Sequence, residues 1–223
     1  LNFLIIFSTV LLLLYSYVGW RLLWPLDIAG HHKSILIIIL IVFYCLPIIT
    51  FIFYFNKIET NITRIIAWLG YTGLGTMSLL FFIQISVDLL SFIKPIFMVK
   101  SHFDPQRRAF LGLSIKGVIG GLGVLGTAWG LYNATKTPII KKVMIPITDL
   151  PETLKGLRMA QISDLHVSSM ITNKFVEKVS NRIKELDPDF LFFTGDAADG
   201  SVKSFGKYLT SLSDIKPKYG KFF

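Results

Sequence analysis

Long apolar runs alternate with short polar connections over the first 135 residues. Runs at 3–20, 35–55 and 65–87 approach the roughly 20 helical residues that cross a hydrocarbon core of about 30 Å. A fourth run, 113–133, is milder and rich in Gly and Ala. The pattern predicts a membrane region at 1–135 with about four transmembrane helices. Pro47 is tolerable inside the second run, because neighbouring groups can satisfy the carbonyl that a proline frees.

Asp88 lies near the end of the third run and has two interpretations. Ser91 and Lys94 follow it closely, which indicates that the span is already ending and favours an interfacial position. The other interpretation is an ion path or a partner helix, since acidic residues inside spans usually serve one or the other.

From residue 136 the pattern of polar and apolar residues is typical of a soluble domain. Residues 136–147 alternate prolines and charges with β-branched residues, which predicts a linker that passes into an edge strand. After residue 147 the spacing of apolar residues predicts a strand, a helix and a strand in βαβ order. The run at 189–195 is apolar enough for a parallel strand that is buried on both faces. The predicted elements are a strand at 157–163, a helix at 172–186 capped by Thr172, a strand at 189–195, a helix at 204–212 and the start of a third strand at 219–223.

The composition agrees with a membrane region and limits the kinds of partner that the protein is expected to bind. The chain is 52% hydrophobic and only 17% charged, and its mean hydropathy is +0.60. Its formal charge of +9 is not gathered into a basic stripe with interleaved aromatic residues, so we expect no nucleic acid partner. The single cysteine, Cys45, excludes an internal disulfide and a Cys-based zinc site.

The segment 106–112, before the fourth run, resembles a twin-arginine export signal. The resemblance rests on Arg107, Arg108, Phe110 and Leu111. The alternative is an ordinary pair of positive charges beside a span.

Lys and Arg residues number six in the first and third connections against five in the second connection and after the fourth run. This small bias favours a soluble domain outside the membrane. The six are Arg21, Lys33, Lys94, Lys100, Arg107 and Arg108, and the five are Lys57, Arg64, Lys136, Lys141 and Lys142.

Gly121, Gly123 and Gly126 have the spacing of a dinucleotide-binding loop. That loop must follow a strand and open a helix, whereas these glycines lie inside an apolar run. Close helix packing through small residues is the simpler interpretation, with Gly117 and Gly121, or Gly126 and Gly130, at four-residue spacing. We expect no nucleotide at Gly121–Gly126.

Three polar residues follow the two predicted strands of the soluble region. Asp164 and His166 come after the first strand and Asp196 after the second, so all three are expected at the carboxyl edge of a parallel sheet. On an extended chain, residues two apart point the same way, so Asp164 and His166 can grip one ion. A carboxylate with an imidazole suits Mn, Fe or Zn. The alternative is that the aspartates cap strand ends and His166 is a surface histidine.

At these residues the chain resembles the calcineurin-like metallophosphoesterase superfamily, and within it a membrane-associated bacterial branch with an export signal. The family pattern runs Asp-x-His, Gly-Asp-x-x-Asp, Gly-Asn-His-Asp/Glu, and later His and Gly-His-x-His. The first two blocks match Asp164 to His166 and Gly195 to Asp199. The resemblance implies an incomplete α/β domain at 136–223, the first part of a β-sandwich with flanking helices.

The resemblance also implies the chemistry. Asp164 and His166 would hold one metal and Asp196 would be shared with a second. Asp199 would orient the loop and its hydrogen bonds, and Gly195, which precedes Asp196, would permit a close approach. The two divalent ions, of the Mn, Fe or Zn type, would serve hydrolysis of a phosphodiester or pyrophosphate, with a lipid-linked substrate as one candidate.

The remaining blocks of the family pattern do not occur in these 223 residues. We therefore expect no catalytic residue here, a C-terminally truncated and inactive domain, and at most one weakly bound metal. The expected location is the bacterial inner membrane, with the domain on its outer face. The alternative function is a non-enzymatic membrane protein, for transport or assembly, with a degenerate soluble tail.

Overall fold

A computed structural model describes residues 2–58, 60–97, 104–168, 171, 173–199 and 206–223, with the backbone alone at 92–97, 105, 108 and 109. The chain divides into two compact units, Leu1–Ala134 and Thr135–Phe223. The first unit is helical and the second contains a small parallel sheet. At this level the predicted fold class, a helical membrane region followed by part of an α/β domain, is confirmed.

Long apolar helices make up the first unit. They are α1 (Asn2–Val18), which continues into a π-helical turn at Gly19–Leu23, α2 (Gly30–Phe55), α3 (Asn61–Phe97) and α4 (Pro105–Thr135). Four stretches of the described residues are long and apolar enough to cross a membrane: Asn2–Leu23, Gly30–Phe55, Asn61–Ser91 and Phe110–Thr135. Many of their Leu, Ile and Phe side chains are exposed, as helices in contact with lipid require.

Helices α2 and α3 meet where α3 carries glycine. A Cβ on Gly70 would lie 3.1 Å from the carbonyl oxygen of Leu46, and a Cβ on Gly73 would overlap the ring of Phe43. Small residues at this crossing therefore let the two backbones approach closely, which is how helices commonly pack in a bilayer.

Pro47 lies in the interior of α2 and is buried. Because proline has no N–H, the carbonyl of Phe43, four residues earlier, loses its helical partner. The buried hydroxyl of Tyr15 on α1 donates a hydrogen bond to this oxygen at 3.0 Å. A side chain of a neighbouring helix thus provides the hydrogen bond that the Phe43 carbonyl lacks within α2.

Of the α4 glycines that the spacing predicted to pack closely, only Gly126 does so in the structure. A Cβ on Gly117, Gly121 or Gly130 would have no neighbouring heavy atom within 4 Å. A Cβ on Gly126, by contrast, would lie 3.2 Å from Leu79, and one on Gly123 would overlap Leu80. Gly123 and Gly126 are therefore the glycines that let α4 approach α3. All of them lie within one continuous helix, where the backbone N–H groups bond to the preceding turn.

The second unit has the predicted βαβ order. After a 3-10 turn at Glu152–Leu154, its elements are β1 (Met159–Ser163), α5 (Asn173–Leu186), β2 (Phe190–Thr194), a 3-10 turn at Gly206–Leu209, α6 (Thr210–Ser213) and β3 (Lys221–Phe222). The sheet is parallel in the order β1-β2-β3, and Met159 pairs with Phe190 and Ser163 with Thr194. Thr172, the predicted helix cap, and residues 204–205, the predicted start of the next helix, lie outside the described residues.

The edge strand predicted within 136–147 is wrong. This described segment contains no strand, and Ile139, Val143 and Met144 are 81%, 68% and 93% exposed. Its β-branched residues favour a strand, but Pro138 and Pro146 cannot donate to a ladder. Composition alone does not form a strand where no partner strand lies beside the segment.

The core of the second unit joins one face of the sheet to α5. Leu191 of β2 and Val176 of α5 are fully buried, with Val179 and Ile183 on the same face of the helix. Leu165 and Val167, from the loop that follows β1, belong to the same core. This loop is therefore anchored by its own apolar side chains, which fixes the polar residues between them.

Candidate metal centre

The loops that follow β1 and β2 run side by side and are hydrogen-bonded to each other. The amides of Asp164, His166 and Val167 donate to the carbonyls of Thr194, Asp196 and Ala197 at 3.2, 3.1 and 3.0 Å. The amide of Asp199 donates back to the carbonyl of Val167 at 2.9 Å, and Val167 and Ala198 form a parallel bridge. The ladder of the sheet thus continues past both strands, and it brings the predicted ligands to the carboxyl edge, where α/β sheets bind ligands.

The chain is not extended at Asp164 and His166, contrary to the prediction. Their φ angles are +51° and +46°, in the left-handed region, which costs an ordinary residue about 1–2 kcal/mol. Leu165 and Val167 are buried, whereas Asp164 is exposed and His166 is partly exposed. Burial of these apolar neighbours offsets the strain, and both polar side chains remain accessible.

Gly195 makes room for the carboxylate of Asp164. Its φ is +78°, and a Cβ at this position would overlap that carboxylate. The hydroxyl of Ser163 donates to Oδ2 of Asp164, and the amide of Asp196 donates to Oδ1 at 3.4 Å. These bonds, that from Ser163 above all, lower the pKa of Asp164. Asp164 is therefore ionised at neutral pH, as a metal ligand must be.

His166 is paired with Asp199. Its Nδ1 lies 2.6 Å from Oδ1 of Asp199, and both side chains are partly exposed. The hydrogen bond and the charge of Asp199 raise the pKa of His166. If Nδ1 carries the proton, Nε2 is left as the nitrogen that can bind a metal, an arrangement common among metal-bound histidines. Asp199 was predicted to orient the loop, and in the structure it orients this imidazole.

The chemistry of these donors suits a divalent ion of the Mn, Fe or Zn type, but their number falls short. Within the described ranges, no group of three or more His, Cys, Asp or Glu side chains is placed to hold a metal. Asp164 and His166 each have a partner of their own, in Ser163 and Asp199, and the side chain of Asp196 is exposed. The described residues therefore do not fit a complete metal centre.

Sequence reasoning missed Ser163, which contacts Asp164 directly. A hydroxyl residue immediately before the aspartate was the available signal. The residues of the predicted export signal belong to the other unit: Arg107, Arg108, Phe110 and Leu111 lie in the first turns of α4, and Phe110 is 69% exposed.

Comparison with known proteins indicates the class. No family model matches the chain, and no solved structure matches it significantly. Its curated relatives include proteins named metallophosphoesterases and one named a pyrophosphatase, which supports that superfamily and a hydrolase that acts on phosphoester bonds.

Three relatives illustrate the similarity. A transmembrane protein with a metallophosphoesterase domain from Danio rerio is 31% identical over 117 residues, 52% of this chain and 25% of the relative. An uncharacterized metallophosphoesterase of Campylobacter jejuni is 24% identical over 223 residues, 98% of this chain and 57% of the relative. The UDP-2,3-diacylglucosamine pyrophosphatase LpxG of Chlamydia muridarum is 39% identical over 70 residues, 31% of this chain and 21% of the relative. The chain thus spans between about a fifth and just over half of these relatives.

Proposed function

We propose that this chain carries part of a membrane-anchored, metal-dependent phosphoesterase that hydrolyses phosphodiester or pyrophosphate bonds at a two-metal site. One observation carries the proposal: the bonded loops after β1 and β2 gather Asp164, His166, Asp196 and Asp199 at the carboxyl edge of a parallel sheet. The names of the relatives and the four apolar helices support the same class of protein.

In this proposal each residue has a distinct task. Asp164 and His166 would bind one divalent ion, and Asp196 would be shared with a second. Asp199 holds the His166 ring by its 2.6 Å contact, and Gly195 gives Asp164 the space it occupies. The described donors are too few for both ions, and we expect at most one ion to bind weakly at this edge of the sheet.

A lipid-linked phosphoester is the substrate that we propose. The spans of the first unit would keep the soluble domain close to a bilayer, where such a substrate resides. LpxG, whose name describes a pyrophosphatase of a diacylated sugar nucleotide, is among the relatives. Both observations favour a substrate with acyl chains over a freely diffusing phosphodiester.

We also propose that the protein resides in a bacterial inner membrane with the soluble domain on its outer face. Arg107, Arg108, Phe110 and Leu111 at the start of α4 would form the twin-arginine-type signal. A reporter enzyme that is active only outside the cytoplasm, fused after residue 140, should be active. If a reporter that is active only in the cytoplasm is active when fused at the same position, this orientation is contradicted.

Manganese binding and turnover test the function. For the 223-residue chain purified in detergent, we expect weak Mn²⁺ binding by electron paramagnetic resonance and no hydrolysis of a chromogenic phosphodiester. Asp164→Asn should weaken the binding at least roughly tenfold, because it removes an ionised ligand. Asp214→Asn, an exposed aspartate of the same unit, is the matched control and should bind as the wild type does.

The outcomes separate the alternatives. Equal binding by the wild type and Asp164→Asn would refute the assignment of this ligand. Absence of any Mn²⁺ binding would favour the non-enzymatic membrane protein. Turnover that disappears in Asp196→Asn would support the enzyme but show that the argument from the number of donors is wrong.

A further inference from the structure

A carboxylate in the membrane region is held by side chains of its own chain. Asp88 of α3 accepts hydrogen bonds at Oδ2 from the Tyr17 hydroxyl at 2.5 Å and from Nε of Arg21 at 2.7 Å. Its Oδ1 accepts from Nη2 of Arg21 and, at 2.8 Å, from Nε2 of Gln84. Arg21 therefore grips Asp88 with two nitrogens, the strongest geometry for such a pair.

These bonds leave no room for another ligand on the carboxylate. An ionised carboxylate offers about four lone-pair sites, and Asp88 receives four donor groups, two on each oxygen. A transported cation would have to displace Arg21 or two neutral donors. This full set of bonds argues against an ion path through Asp88.

The four residues join helices that are not consecutive. Tyr17 is on α1, Arg21 on the π-helical turn that follows it, and Gln84 and Asp88 on α3. These residues are only partly shielded: Val18 and Leu80 are buried nearby and Gln84 is 3% exposed, whereas the side chains of Asp88 and Arg21 are 16% and 36% exposed. Beside the apolar helices an unpaired charge is unfavourable, so the loss of either charged partner leaves the other in a less favourable environment.

The π-helical turn adds a local constraint on Arg21. It is closed by the Trp24 amide, which donates to the Gly19 carbonyl at 3.2 Å. A Cβ on Gly19 would lie 2.7 Å from a terminal methyl of Leu40, so the turn packs closely against α2 at this glycine. The guanidinium of Arg21 also lies 5.6 Å from the centre of the Trp20 ring, within range of a cation–π interaction. Widened turns of this kind are rare and often occur at sites with a specific task.

We propose that Tyr17, Arg21, Gln84 and Asp88 form a polar clasp that specifies the docking of α1 on α3. Apolar contact gives membrane helices little preference for one another, because lipid tails are equally apolar. The clasp supplies that preference through charge and hydrogen-bond geometry. Asp88 thus marks a partner helix of its own chain.

Paired substitutions in the full chain, purified in detergent, test the clasp. Arg21→Gln and Asp88→Asn should each lower the Tm by roughly 5–10 °C, since each leaves the other group without its partner. The double variant should lose clearly less than the sum of the two losses, because the unpaired charge is gone. Asp27→Asn, an exposed aspartate between α1 and α2, is the matched control and should leave the Tm unchanged.

Two further measurements keep the proposal open to refutation. Should Asp88→Asn fail to fold, Tyr17→Phe removes one donor while the ion pair remains, and it should lower the Tm by a smaller amount. Additive losses for Arg21→Gln and Asp88→Asn, or losses equal to that of the control, would overturn the clasp. Cation flux into liposomes that Asp88→Asn abolishes without a change in Tm would overturn it in favour of an ion path.

Discussion

Replacement of Gly195 by alanine is expected to loosen the loops after β1 and β2 and to weaken metal binding at least tenfold. The new Cβ would overlap the carboxylate of Asp164, and the φ of +78° is strained for any residue with a Cβ. The two effects together should destabilise this edge of the sheet by about 2–4 kcal/mol. Hydrogen exchange at the amides of β1 and β2 in the full chain, together with Mn²⁺ titration, measures both.

Gly156 offers a matched control for this substitution. Its φ is +79°, nearly that of Gly195, but no heavy atom lies within 4 Å of a Cβ placed there. Gly156→Ala therefore carries the backbone strain without the overlap, and we expect a loss of about 1–2 kcal/mol with unchanged Mn²⁺ binding. Equal effects of the two substitutions on metal binding would show that the space beside Asp164 is unimportant.

Part of the candidate site could be predicted from the sequence, and Gly195 is one example. Gly195 was expected to permit a close approach, and the structure shows that the group approaching it is the carboxylate of Asp164. The pairing of His166 with Asp199, and of Ser163 with Asp164, was not predicted. These contacts depend on how the two loops align. That alignment follows from the register of β1 on β2, and the predicted strand positions alone did not give which residues pair.

In the membrane region, too, the sequence predicts some features and leaves others to the structure. Apolar length predicts that spans exist, since it does not depend on which way a helix faces. The partners of Asp88 and the packing of Gly123 depend on the rotation of each helix about its axis, whereas glycine spacing alone favoured Gly117 with Gly121, or Gly126 with Gly130. Rotation is set by contacts between helices distant in sequence, so it becomes visible only in the structure.

Tyr15→Phe is expected to destabilise the helical unit by about 1–2 kcal/mol. The substitution removes only the hydroxyl that donates to the Phe43 carbonyl, and Pro47 cannot supply the missing N–H. A carbonyl without a partner in apolar surroundings carries a penalty of this size. Thermal or denaturant unfolding of the full chain in detergent measures it. Tyr44→Phe is the control, because the Tyr44 hydroxyl makes only a long 3.4 Å bond to the Ser8 carbonyl.

The decisive step is to repeat Tyr15→Phe in a Pro47→Ala background. Alanine restores an N–H that can donate to the Phe43 carbonyl within α2, so loss of the Tyr15 hydroxyl should then have little effect. The difference between the two backgrounds, about 1–2 kcal/mol, is the coupling between a proline in one helix and a hydroxyl in another. If Tyr15→Phe is equally destabilising in both backgrounds, the hydroxyl does not act by replacing the N–H that proline lacks, and its contribution comes from packing or from another partner.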